Sequence, residues 1–290
     1  MFHAFSNLQQ RVIASILITL CFLGSIYVSH DAGWHYSFLL LITGATVCAV
    51  WEYYKMAEAK GYQPRVKVGL VATAGYLFAV YFQTQTSEVS LLPIAVIGLA
   101  LLVSFFYYFY KGNAPFVNLA ITTFALFYIT IPLSYLIEIN YLKLPDFIND
   151  GRYCLLYLLL LTKATDMAAF FIGKWIGKTP FSPYISPKKT WEGAIGGFVT
   201  TVIVGVLLSL FFRFCFETPP MLLSFAQTLL LPMGISIMGQ LGDLAESLLK
   251  RDAGIKDSST HLPGLGGVLD LVDSLMFTAP FYGIIIKSWI

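Results

Sequence analysis

Residues 91–110 read LLPIAVIGLALLVSFFYYFY, a run of twenty residues without a single charged side chain. A helix needs roughly 20 mostly apolar residues to cross the hydrocarbon core of a bilayer. The run is continuously apolar and does not alternate every second residue, so it predicts a transmembrane helix rather than a barrel strand. The segment therefore indicates that lipid is the solvent for at least part of this chain.

The composition extends this conclusion to the whole sequence. Of the 290 residues, 57% are hydrophobic and only 12% are charged, whereas soluble domains carry roughly 25% charged residues. The chain therefore lacks the polar surface of a soluble protein, and we predict an all-α, polytopic integral membrane protein. Nine apolar runs are candidate spans: Val12–Val28, Ser37–Met56, Val68–Phe82, Leu91–Tyr110, Phe116–Leu136, Tyr153–Ile172, Ala194–Phe212, Met221–Leu241 and Val268–Ile286.

The lysines and arginines segregate between the two sides of these nine spans. Thirteen lie on the side of the amino terminus, four lie on the opposite side, and Lys163 falls within a span. Cytoplasmic loops carry an excess of Lys and Arg, so the amino terminus and the long basic loops are predicted to be cytoplasmic. Adding or removing one span would place many basic residues on both sides of the membrane, so their distribution independently favours nine spans.

Charge inside the spans divides the chain into two regions. Residues 1–150 are predicted to form a scaffold of about five helices, with one acidic group, Glu52, close to a span end. Residues 151–290 hold nearly every other ionisable group at membrane depth, together with two cytoplasmic loops. Such groups are costly in hydrocarbon and usually mark functional sites, so the second region is predicted to be catalytic.

Four carboxylates lie at the end of the eighth predicted span and within the ninth. Asp243 and Glu246 directly follow the eighth span, and Asp270 and Asp273, three residues apart, are expected to share one face of the ninth. Carboxylates from two facing helices can hold Mg²⁺, which completes its shell with phosphate and water. The alternative is a set of salt bridges with the basic side chains between the two spans, which are Lys250, Arg251 and Lys256.

Other polar residues accompany these carboxylates. Ser247 and Lys250 continue the helical stripe of Asp243 and Glu246, while Gly266 and Gly267 would let the backbone approach a ligand closely. In the sixth span, Lys163 and Asp166 are three residues apart and therefore neighbours on one helical face. They form either a structural ion pair or one wall of the charged site.

The loop before the seventh span reads Ser186-Pro187-Lys188-Lys189-Thr190. Two lysines that follow a rigid proline can bind a polyphosphate as point charges, with the Ser186 and Thr190 hydroxyl groups adding donors. The alternative is that both lysines only follow the positive-inside bias. Carboxylates for Mg²⁺ and lysines for phosphate at membrane depth together indicate phosphoryl or nucleotidyl transfer to a lipid.

The same residues resemble the phosphatidate cytidylyltransferase family, also called CDP-diacylglycerol synthases. The resemblance covers roughly residues 150–290, where Leu265 and Leu271 replace the histidine and arginine usual in the family. Besides the segments at 186–193 and 242–247, the matching residues are Ser247, Leu249, Lys250, Arg251, Lys256, Asp257, Ser259, Leu262, Pro263, Gly266, Gly267, Asp270 and Asp273.

This resemblance implies that CTP and phosphatidic acid react to CDP-diacylglycerol and pyrophosphate in an Mg²⁺-dependent reaction. It implies Asp243 and Asp270 as metal ligands, with Asp273 and Glu246 beside them and Lys250 and Arg251 as catalytic cations. It further implies a possible second, monovalent cation, a homodimer, and an active site on the cytoplasmic side of a bacterial plasma membrane; no nucleic-acid partner is expected. The implied substrate-binding residues are Ser186, Lys188, Lys189, Thr190, Ser247, Lys256, Asp257, Gly266, Gly267, Lys163 and Asp166.

Two other classes of protein share some of these features. A cation- or proton-coupled transporter would use Lys163, Asp166, Asp270 and Asp273 as a relay. Transporters often contain two related halves, whereas nearly all the buried charge lies in one half of this sequence. A cytidylyltransferase acting on another lipid phosphate is the second alternative.

Overall fold

The structure is a computed structural model that describes residues 7–31, 33–86, 90–142, 151–216, 219, 221, 223–256, 258–259 and 266–288. It is built almost entirely of helices, which confirms the predicted all-α class. The helices are α1 (Asn7–Val28), α2 (Ser37–Ala59), α3 (Val66–Gln85), α4 (Leu92–Tyr110), α5 (Pro115–Ala125), α6 (Ile131–Asn140), α7 (Gly151–Ile176), α8 (Trp191–Cys215), α9 (Phe225–Asp252), α10 (Val268–Val272) and α11 (Leu275–Ser288).

Eight of the nine predicted spans appear as helices that are long and apolar enough to cross a membrane within the described part of the chain. The first predicted span lies in α1, whose described apolar run is the shorter segment Ser15–Val28. The fifth span consists of α5 and α6 joined by one π-helical turn, Leu126–Thr130. Helix α4 buries only Pro93, Ala100 and Ser104, as expected for a helix that packs on its neighbours with one narrow face and exposes the rest to lipid.

The ninth span is broken. Helix α10 ends at Val272 and α11 begins at Leu275, with a turn at Asp273 and Ser274. The Ser274 backbone N–H donates to the Asp273 carboxylate at 2.5 Å, and such local bonds compete with helical hydrogen bonding. The prediction that Asp270 and Asp273 share one face of a continuous helix is therefore wrong.

The chain forms two compact units. The first comprises Met1–Glu138 with Asp252–Val272, and the second comprises Ile139–Arg251 with Asp273–Ile290. The short segment that contains Gly266, Gly267 and Asp270 thus belongs to the first unit, together with the first helices of the chain. A functional boundary near residue 150 stays a prediction.

The core of the first unit is built around α2. Its buried side chains, including Phe38, Ile42, Ala49 and Tyr53, recur at helical spacing along one face. Tyr54 donates a hydrogen bond from its hydroxyl group to the Thr122 carbonyl oxygen at 2.8 Å. This bond satisfies a buried polar group that would otherwise be costly in an apolar core.

The second unit depends on close packing of α7 against α8. A side chain at Gly197 would contact the Thr165 carbonyl oxygen and the Ala169 methyl group, both 3.0 Å from the ideal Cβ position. Small residues of this kind let membrane helices approach each other. The buried hydroxyl groups of Thr165 and Thr201 then lie 2.6 Å apart, and this hydrogen bond between the helices adds to the close packing of the pair.

The basic loop between α7 and α8 contains a small antiparallel hairpin that the sequence did not predict. Its strands are β1 (Pro180–Ser182) and β2 (Ser186–Thr190), with Pro180 opposite Thr190. The rings of Phe181 and Trp191 meet edge to face with their centroids 4.5 Å apart. The loop that carries the two adjacent lysines is therefore an ordered element.

Candidate active site

Three acidic side chains from three elements approach one another in the second unit. They are Asp166 on α7, Asp243 on α9 and Asp273 in the turn before α11, and both other carboxylates are close enough to act electrostatically on Asp273. The Ser274 hydroxyl lies 3.3 Å from Asp166 and 3.1 Å from Asp273. The Lys163 ammonium lies 3.5 Å from Asp166, so the predicted pairing of these two residues is confirmed.

Glycine allows α9 to pass close to the turn that carries Asp273. A Cβ atom at Gly242 would lie 2.6 Å from the Asp273 carbonyl oxygen and 3.2 Å from the Ser274 Cα atom. Both distances are shorter than an ordinary carbon contact, so a side chain there would push the two backbones apart. The absence of a side chain at Gly242 therefore brings Asp243, the next residue, near the turn.

Strand β2 separates the two predicted phosphate-binding lysines. The Lys189 ammonium lies 2.5 Å from an oxygen of Asp243, while Lys188 is exposed. Successive side chains of a strand point to opposite faces, which explains why only one of the two lysines contacts the acidic cluster. The two lysines therefore occupy different environments.

The other polar residues of the hairpin have structural contacts. Thr190 is the N-cap of α8, and its hydroxyl oxygen accepts a hydrogen bond from the Gly193 N–H at 3.2 Å. The Arg251 side chain donates to the Ile185 carbonyl oxygen at 3.1 Å. Ser186 begins β2 and is half-buried. These contacts fix the hairpin within the second unit.

Glu246 and Lys250 form a buried ion pair one turn apart on α9. Glu246 is fully buried, and its carboxylate lies 2.5 Å from the Lys250 ammonium. Ser247, next to Glu246, is also buried. The pair corresponds to the salt-bridge alternative that the sequence left open, because a buried charge needs a partner of opposite sign.

Asp270 belongs to the first unit and organises the start of α10. One of its carboxylate oxygens accepts hydrogen bonds from the Ser258 N–H at 3.1 Å, the Ser258 hydroxyl at 2.9 Å and the Gly267 N–H at 2.7 Å. Gly266 has a φ of 87°, a conformation that favours glycine. Lys256 is exposed, and Asp257 and Leu265 lie outside the described residues.

Glu52 was not among the site residues predicted from the sequence, although its carboxylate near a span end was noted. In the first unit it is 1% exposed, and four donors of the segment around Asp270 lie within hydrogen-bond distance of its carboxylate, the Ser258 hydroxyl sharing its one proton with Asp270. The donors are the Ser258 hydroxyl at 3.1 Å, the Ser259 hydroxyl at 2.6 Å, the Val268 N–H at 3.0 Å and the Leu269 N–H at 2.8 Å. The only indication of a role for Glu52 in the sequence was the high free-energy cost of a charged side chain inside the hydrocarbon core.

The carboxylates suit a metal ion that needs few protein ligands. Within the described ranges, no three His, Cys, Asp or Glu side chains are grouped so that they could hold a metal ion. Mg²⁺ is usually bound by one or two carboxylates together with phosphate and water, and Asp243 and Asp273 provide such a partial set. The metal roles of Asp243, Glu246, Asp270 and Asp273 stay predictions.

Comparison with known proteins gives a consistent family over nearly the full length. The sequence profile of the Cytidylyltransferase family matches residues 9–289. The phosphatidate cytidylyltransferase of Bacillus subtilis is 31% identical over 276 residues, covering 95% of this chain and 96% of the relative. That of Haemophilus influenzae is 30% identical over 291 residues, covering 95% and 97%. That of Thermotoga maritima is 32% identical over 285 residues, covering 97% of each chain.

These matches extend across both units, including the helices that position Asp243, Asp273 and Glu52. The family profile and the relatives agree with each other. The protein is therefore a member of the cytidylyltransferase family.

Proposed function

We propose that the protein transfers the cytidylyl group of CTP to phosphatidic acid, giving CDP-diacylglycerol and pyrophosphate. The observation that carries this proposal is the similarity to phosphatidate cytidylyltransferases over 95–97% of the chain. The acidic groups next to basic side chains at membrane depth support it, since the reaction joins a water-soluble triphosphate to a lipid phosphate. A transporter is not favoured by these comparisons.

In the proposed reaction a phosphatidate oxygen attacks the α-phosphorus of CTP. A new P–O bond forms, the bond between the α- and β-phosphates breaks, and pyrophosphate leaves with the electron pair. Because the attacking oxygen is already anionic, no protein base is required, and catalysis consists of positioning and charge neutralisation.

Asp243 and Asp273 would hold a Mg²⁺ ion through their carboxylate oxygens, and the family resemblance alone adds Asp270 to the metal ligands. When bound, such an ion neutralises charge on the phosphates and orients them. Lys189 places an ammonium group beside Asp243 and can bind a phosphate oxygen near these carboxylates. Lys163 provides a second positive charge beside Asp166.

The acyl chains of phosphatidic acid would stay in the bilayer while its phosphate meets CTP on the cytoplasmic side of a bacterial membrane. The distribution of lysine and arginine supports that orientation. A homodimer and a second, monovalent cation belong to the proposal through the family resemblance alone.

The direct test is an assay of purified protein in detergent with radiolabelled CTP, phosphatidic acid and Mg²⁺. We expect label in the extracted lipid, and no labelled lipid when diacylglycerol, which lacks the phosphate nucleophile, replaces phosphatidic acid. Addition of EDTA is expected to abolish the reaction, because the phosphates would lose their counter-charge. An absence of labelled lipid would contradict the function, and full activity in EDTA would contradict the metal.

The two adjacent lysines are expected to differ in importance. Lys189→Ala should raise KM for CTP or for phosphatidic acid about tenfold, because a charged contact to phosphate is worth roughly 1.5–3 kcal/mol. Lys188→Ala, the matched control on the opposite face of β2, should change either KM less than about twofold. Steady-state kinetics with each substrate varied in turn measures both values, and equal effects of the two substitutions would contradict the assignment.

A further inference from the structure

Glu52 is a buried carboxylate that accepts hydrogen bonds from one distant segment of the chain. The four donors belong to Ser258, Ser259, Val268 and Leu269, which lie in the same unit as α2. Each carboxylate oxygen faces two of these donors, and the single proton of the Ser258 hydroxyl is shared with Asp270. Removing a carboxylate from water is costly unless it is fully bonded, so this set of bonds is what makes Glu52 tolerable inside the protein.

Ser258 links Glu52 to Asp270. Its hydroxyl group lies 3.1 Å from a Glu52 oxygen and 2.9 Å from an Asp270 oxygen, and its N–H donates to the same Asp270 oxygen at 3.1 Å. Gly267 contributes a further N–H to Asp270 at 2.7 Å. Displacing Ser258 would therefore disturb both carboxylates at once.

The bonds of Glu52 serve this segment rather than the packing of the scaffold helices. The other buried polar residues of α2 include Thr46, whose hydroxyl donates to the Ile42 carbonyl oxygen of its own helix at 2.8 Å. Helix packing alone does not require a charge, because replacing buried ionic groups by apolar side chains of similar volume is often neutral or stabilising. What the carboxylate adds is a fixed position for Ser258 and for the first turn of α10.

We infer that Glu52 is a positioning residue for Asp270: it holds Ser258 and the start of α10, so that Asp270, a metal ligand by the family resemblance, is presented in one orientation. The loss of activity expected from this inference rests on the proposed function. The structural part of the inference, the ordering of residues 266–272 by Glu52, is independent of the reaction. Glu52 acts on the reaction through Asp270.

The test substitutes Glu52→Gln in the full-length protein. Glutamine keeps the shape but replaces one acceptor oxygen by an NH₂ group, which would face two donors. Partners of a metal ligand typically change activity or metal affinity about 10- to 100-fold when substituted. We expect kcat to fall in that range with KM for CTP changed less than about threefold, and the Mg²⁺ concentration for half-maximal activity to rise.

Hydrogen exchange gives a readout that does not depend on turnover. In Glu52→Gln, amides in residues 266–272 are expected to exchange at least about tenfold faster, while α2 keeps its protection. In a double-mutant cycle, the effects of Ser259→Ala and Glu52→Gln are expected to be non-additive, because the Ser259 hydroxyl donates directly to the Glu52 carboxylate at 2.6 Å.

Two controls separate positioning from general stability. Thr46→Val alters a buried group on the same helix and should leave kcat and exchange at 266–272 unchanged. Lys60→Gln removes the ion pair with Asp252 at 2.6 Å, which is partly exposed, and should change kcat less than about twofold.

Unchanged kcat and unchanged exchange in Glu52→Gln would overturn the inference. Faster exchange throughout α2 would also overturn it, because Glu52 would then stabilise the whole unit rather than one segment. If the wild-type protein makes no CDP-lipid, the proposed function fails, and the exchange experiment still decides whether Glu52 orders residues 266–272.

Discussion

Asp243→Asn is expected to lower the rate of CDP-lipid formation by about 100- to 1,000-fold, the range found when one group that stabilises transition-state charge is removed. Asparagine has nearly the same shape, so α9 and its contact with the Asp273 turn should persist. The substitution removes the negative charge that would bind Mg²⁺ and that pairs with Lys189 at 2.5 Å. The measurement is kcat at saturating CTP, phosphatidic acid and Mg²⁺.

Asp252→Asn is the matched control, because the same change is made at the end of the same helix. Its side chain is 68% exposed, and we expect kcat to stay within about twofold of the wild-type value. Thermal unfolding in detergent verifies that both variants are folded. Retention of at least a third of wild-type activity by Asp243→Asn would contradict a role for this carboxylate in the reaction.

Gly267→Ala is expected to have the second large effect, through steric overlap rather than through the loss of a charge. The added methyl group would overlap the Ser258 hydroxyl and the Glu52 carboxylate. Neither group can move away freely, since each is held by further hydrogen bonds around Asp270. Overpacking of this kind typically costs about 1–3 kcal/mol, and we expect the displacement of Asp270 to lower activity at least about tenfold.

Gly44→Ala is the control for this substitution. Gly44 lies in α2, and an added Cβ atom there meets no atom within 4 Å. Alanine is a better helix former than glycine by roughly 1 kcal/mol, so this variant should be as stable as the wild type or more stable. Thermal unfolding and the CTP assay applied to both variants give the comparison. Wild-type activity in Gly267→Ala would show that the segment tolerates the displacement.

The helices could be predicted from the sequence because lipid imposes one simple rule. Backbone groups in the bilayer must be hydrogen-bonded within the protein, so an apolar run of sufficient length becomes a helix. The Lys163–Asp166 pair followed from helical spacing in the same way. The break at Asp273 could not be read from hydrophobicity, because it depends on the bond between the Ser274 N–H and the Asp273 carboxylate.

The site itself was only partly accessible from the sequence. Lys188 and Lys189 formed one motif, yet strand geometry separates them, and the Thr190 hydroxyl is used to cap α8. Glu246 was a candidate metal ligand, and the structure pairs it with Lys250 in a buried position. Each of these outcomes depends on which neighbours a side chain meets after folding.

By itself, the sequence determined the class of the protein, the order of its spans and the region that carries intramembrane charge, because these depend on composition and on local periodicity. Only the tertiary structure decided the partners of each charge, including the four bonds of Glu52 to a segment more than 200 residues away. The reason is physical: a buried carboxylate must find donors, but its own sequence neighbourhood does not specify which distant backbone and hydroxyl groups will supply them.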